Sequence, residues 1–96
     1  MSIQRLGTLV FDTIGELFHR GETTLDPDSA EGIELRKAAY TATGVRGDDP
    51  LTVAGRELAY CLMEHLQGMR DFNSLKQASR AYENARITRT ADKIGT

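Results

Sequence analysis

Cys61 and His65, in the stretch LAYCLMEHLQG at residues 58–68, are the side chains of this chain best suited to chemistry. They stand four apart, so on a helix they share a face, as two metal ligands or a thiol–imidazole pair would. Neither chemistry is well supplied. A zinc site needs three or four ligands, and the nearest carboxylates, Glu57 and Glu64, fall elsewhere on the wheel. A nucleophilic thiol needs an activating environment, whereas Cys61 borders a leucine stripe, where thiols are inert packing. The other histidine, His19, falls on a polar face near a helix end, where an exposed imidazole is at home. No phosphate-cradling glycine motif, no HExxH, no GxSxG and no paired carboxylates in a polar cleft occur. No catalytic residue, cofactor or metal is expected, and the chain does not read as an enzyme.

Two charged sets remain. Asp26, Asp28, Glu31 and Glu34, with Asp48 and Asp49, form an acidic group that would suit a basic partner, although most sit at helix starts where capping already explains them. Lys76, Arg80, Arg86, Arg89 and Lys93 follow in the last third and would form the reading face of a helix-turn-helix regulator. Against this, the basic residues spread around the helix, and the link Gly68 to Asn73 exceeds the usual three- or four-residue turn. Net charge is −2, with five basic against nine acidic residues in 1–50 and seven against five in 51–96. Binding that leans on phosphate neutralisation is poorly served by that balance.

The elements that carry these residues are marked by punctuation. Gly21, Gly44, Gly68 and Gly95 each follow a helix-like segment, where glycine closes helices in the left-handed conformation. Asp26-Pro27 and Asp49-Pro50 pair a capping acid with a proline suited to the first turn, Asp28 and Glu31 offer a capping box, and Asp71 or Asn73 begins a fourth segment. No Val/Ile/Thr-rich run alternates with period two. The expectation is an all-α single domain of 96 residues. Its four short helices lie near 2–20, 27–43, 50–67 and 72–86, orthogonal or bundle-like, with no strands. The apolar residues Ile87, Ala91 and Ile94 shift phase, which predicts a kinked or flexible tail over 87–96.

Apolar periodicity assigns the core to Ile3, Leu6, Val10, Ile14, Leu17 and Phe18 on the first helix, with Leu9 and Phe11 at its edges. Leu35, Ala38, Ala39 and Ala42 serve the second, with Ile33 and Tyr40 on another side. Leu51, Ala54, Leu58, Leu62, Leu66 and Met69 serve the third, and Phe72, Leu75, Ala78, Tyr82 and Ala85 the fourth. The third helix is also apolar on its opposite side: Val53, Tyr60 and Met63, bordered by Arg56 and Gln67. Such a helix is either central in its own core or covered by a second molecule. Tyrosine, methionine and arginine are enriched at interface centres.

One cysteine excludes an internal disulfide and fits a reducing compartment. No apolar run approaches a membrane span, and Arg5 before a helix holding Asp12 and Glu16 is unlike a signal peptide, so the cytoplasm is the expected location. The functional expectation is a non-enzymatic protein-interaction module with a protein partner. It is expected to self-associate as a homodimer, and to bind and modulate or inhibit a larger protein or complex. Inhibitors encoded by phages and other mobile elements are one form this class takes. The alternative is a small DNA-binding regulator using helix 4.

Overall fold

The computed structural model describes the backbone of residues 2–22 and 24–95, and the side chains of residues 4–22 and 24–88. Four helices account for the architecture: α1 (Ser2–Arg20), α2 (Ala30–Thr43), α3 (Pro50–Leu66) and α4 (Phe72–Gly95). Among the described residues there is no strand. No helix there is long and apolar enough to cross a membrane. Of the residues behind the predicted change in the tail, Ile87 is exposed, while the side chains of Ala91 and Ile94 lie outside the described set.

Helix α3 is the centre. It packs against the other three helices, while α2 and α4 make no contact among the described residues. Leu51, Leu58, Ala59, Cys61, Leu62, His65 and Leu66 are all buried, which spans more than one side of the helix. One apolar cluster unites them with Leu6, Val10 and Leu17 of α1, Leu35, Ala39 and Ala42 of α2, and Phe72, Leu75 and Tyr82 of α4. The side chain of Ile3 lies outside the described set, and among the described residues two side chains depart from the expected core. Phe18 and Met69 are exposed. Phe18 stands one residue, about 100° of helical turn, beyond Leu17 and so leaves the buried stripe. Met69 follows Gly68, whose φ of +78° turns the chain away from the α3 axis.

The helix ends explain where the chain bends. Gly21 (φ +74°) closes α1, with the Glu22 N–H donating to the Leu17 carbonyl at 2.8 Å. Helix α2 starts later than the Asp26-Pro27 pair predicts, because Ser29 is its cap: the Ser29 hydroxyl accepts from the Gly32 N–H at 3.0 Å. The Asp26 carboxylate is occupied instead by the Asp28 N–H at 2.9 Å, in a local turn over Pro27. This turn lies close on α2, since a Cβ on Gly32 would collide with the Asp26 carbonyl. Gly44 ends α2 with φ −87°, a right-handed geometry. The positive φ in the next connection belongs to Gly47. Asp49 caps α3 as its sequence context predicts, accepting from the Thr52 N–H at 3.1 Å, with Pro50 as the first helical residue. Asp71 starts α4, accepting from the Ser74 N–H at 2.8 Å.

Candidate interaction surface

Cys61 and His65 share α3 but form no common site. His65 is only 5% exposed. The Leu25 N–H donates to its Nε2 at 3.3 Å, so Nε2 carries the lone pair and Nδ1 carries the proton. Nδ1–H then donates to the Arg70 carbonyl at 3.0 Å. Both ring nitrogens are thus engaged by backbone. Burial pushes the Cys61 thiol above its ordinary range, with the Arg70 guanidinium opposing that effect. Contrary to the wheel reading, Glu57 lies on the same side as Cys61. The two line a groove of about 480 Å³ between α3 and α4 with Tyr60, Arg70, Ser74 and Gln77. The Arg70 Nε is held by the Glu64 carboxylate at 2.8 Å. Among the described residues, no three His, Cys, Asp or Glu side chains gather where they could hold a metal ion.

The acidic set is dispersed among local duties. Asp26 makes its turn, Asp28 follows it, Glu31 faces Arg20 at 3.9 Å and Glu34 faces Arg5 at 3.3 Å. These are exposed pairs of small energetic weight. Asp48 is exposed beside the α3 cap Asp49. In the basic set, Lys76 Nζ lies 5.8 Å from the Phe72 ring centre, Arg80 is exposed, and Arg86 is bound to Glu83 at 2.8 Å. The Arg89 and Lys93 side chains lie outside the described residues.

The second stripe of α3 is partly consumed within the monomer. Val53 and Met63 are half-buried, and Met63 packs on the core. Arg56 donates to the Val45 carbonyl at 3.3 Å and the Gly47 carbonyl at 2.9 Å, tying down the α2–α3 connection. Tyr60, 53% exposed, and the exposed Gln67 are what α3 still presents.

Helix α1 presents more. Phe11 and Phe18 are 59% and 76% exposed. Seven residues apart, they fall nearly in line on one side of the helix. Gly15 lies between them, one turn from each, and a Cβ there would meet nothing within 4 Å. The other glycine of α1 differs. A Cβ on Gly7 would stand 2.9 Å from Cζ of Tyr82 and closer still to its Cε2, so the Tyr82 ring requires Gly7. Nothing among the described residues requires Gly15, although glycine inside a helix costs roughly 0.5–1 kcal/mol relative to alanine. Beside Phe11, a groove of about 460 Å³ separates α1 from α4, lined by Gln4, Thr8, Asp12, Tyr82 and Arg86 among others. The α1 face escaped the periodicity reading because that reading assigns Phe18 to the core face and Phe11 to its edge, whereas both are exposed. The seven-residue repeat of Phe-Asp at 11–12 and Phe-His at 18–19 is the signal that marks it.

No family model matches this chain, and neither a curated protein nor a solved structure matches it.

Proposed function

We propose that this protein is a non-enzymatic interaction module that self-associates through α1, the occupant of its exposed aromatic face being a second copy of the same chain. The carrying observation is the pair of outward phenylalanines flanking Gly15, a position where none of the described residues fills the space. A glycine on a helix surface lets a second helix approach closely, and aromatic side chains on either side then bury a large apolar area at small entropic cost. The charges agree with a two-fold antiparallel pairing of α1 near Gly15. That arrangement sets Phe11-Asp12 of one copy against Phe18-His19 of the other, a carboxylate opposite an imidazole at both ends. Tyr60 supplies the rim of a separate groove and is not needed for this contact.

Sedimentation velocity over a concentration series tests the proposal. Wild type should form a species of twice the 10.6 kDa chain mass. Phe18→Glu should be a monomer of unchanged helicity, because an exposed position tolerates the charge while an apolar contact does not. A wild type that stays monomeric throughout, or a dimer indifferent to both Phe11→Glu and Phe18→Glu, sinks the reading. Dissociation by Tyr60→Glu alone would move the interface to α3. Nucleic-acid binding that weakens steeply with salt would move the function to α4.

A further inference from the structure

Leu25 is deeply buried, whereas the described residues beside it in the α1–α2 connection, Thr24 and Asp26 to Ser29, are exposed or half-buried. Its backbone N–H is buried with it and is directed at His65 Nε2, 40 residues further along the chain. The other ring nitrogen is bound to the Arg70 carbonyl in the α3–α4 connection. One imidazole therefore clasps two connections together, with the Phe72 ring 6.2 Å away on its flank. The clasp needs the neutral ring. An imidazolium carries hydrogens on both nitrogens and has no lone pair left. The Leu25 N–H and the new Nε2–H would then face each other, two buried donors without an acceptor. We infer that His65 is an acid-sensitive latch: its protonation releases the Leu25 N–H and withdraws Leu25 from the core.

Charged neighbours enter from each side. Asp71, at the start of α4, attracts a proton to the ring, and its carboxyl is held below the usual range mainly by the Ser74 N–H, so it stays charged as acid is added. Arg70 and Lys76 line the same cavity and oppose protonation, with the charge of Arg70 offset by Glu64. From the 21–29 connection, Asp26 is the nearest carboxylate in sequence and is occupied by the Asp28 N–H. From α3 itself, Cys61 stands one turn away as a neutral thiol.

Amide hydrogen exchange followed by NMR from about pH 7.5 to about pH 5 tests the latch, with rates expressed as protection factors to remove the intrinsic pH dependence. The Leu25 amide should lose protection about tenfold relative to the Leu58 and Leu62 amides of α3, as expected for one lost buried hydrogen bond. The loss should follow the pH-dependent movement of the His65 ring signals and not that of the His19 signals, His19 being exposed on α1. In His65→Gln, which does not titrate, Leu25 protection should be flat. Where that variant does not fold, the wild-type comparison decides alone. A His65 ring that titrates without moving the Leu25 amide, a ring that stays neutral across the range, or an equal loss in folded His65→Gln overturns the inference.

Discussion

Gly7→Ala and Gly15→Ala make the same change twice on one helix, and the structure assigns them opposite signs. Each adds a methyl group and removes glycine's entropic penalty, a gain of roughly 0.5–1 kcal/mol in a helix interior. At Gly15 that gain stands alone in the monomer, since nothing lies within 4 Å of the new Cβ. At Gly7 the new atom meets the Tyr82 ring, with Cδ2 at 3.0 Å, Cζ at 2.9 Å and Cε2 nearer. Tyr82 is 2% exposed, so its ring can yield only by repacking against its buried neighbours or toward the α1–α4 groove. Overpacking of this kind costs about 1–3 kcal/mol or more, so the net effect is a loss of about 1–2 kcal/mol. For a domain of this size that lowers the thermal midpoint by roughly 5–15 °C, while Gly15→Ala raises it by about 3–6 °C. Thermal and urea unfolding by circular dichroism, at concentrations low enough for monomer, would measure both. The double variant Gly7→Ala, Tyr82→Leu should recover the helix gain relative to Tyr82→Leu alone, because the steric partner is gone. Gly7→Ala as stable as wild type would refute the packing of α1 on α4 described above. Gly15→Ala should also weaken self-association, as the added methyl separates the two helices.

Tyr82→Phe removes a buried hydroxyl that has no hydrogen-bond partner among the described residues. Stability should rise by about 1 kcal/mol, read as a higher urea midpoint at unchanged m; a loss of that size would mean the hydroxyl is satisfied. Alkali should destabilise the protein. Burial raises both the Cys61 thiol, from 9.0, and the Tyr82 phenol, from 10.0, so each favours the protonated form in the folded state. Their contribution is complete below the unfolded values and is lost as pH climbs through the folded ones, beginning near pH 9. The decline in unfolding free energy above that point should be shallower in Cys61→Ala and Tyr82→Phe, and an equal slope in all three proteins would contradict the burial argument.

Helix number and most helix ends were legible in the residues, because capping and apolar periodicity are local. Asp49-Pro50 announces α3, and Leu6, Val10 and Leu17 announce the buried stripe of α1, within a few residues of one another. Where two local signals compete, as Asp26 and Ser29 do for the start of α2, the order of residues does not choose between them. The fold of the turn over Gly32 does. Partnership across the chain was beyond sequence reading for the same reason. His65 meets Leu25 across 40 residues and Gly7 meets Tyr82 only because α3 and α4 bring them there. The role of Arg56 likewise depends on the path of the α2–α3 connection, which turns a candidate interface cation into a cap for two carbonyls. Phe18 stands beside Leu17 at the limit of the buried stripe, and how far the neighbouring helices reach around α1, set by their crossing geometry, decides that it is left exposed.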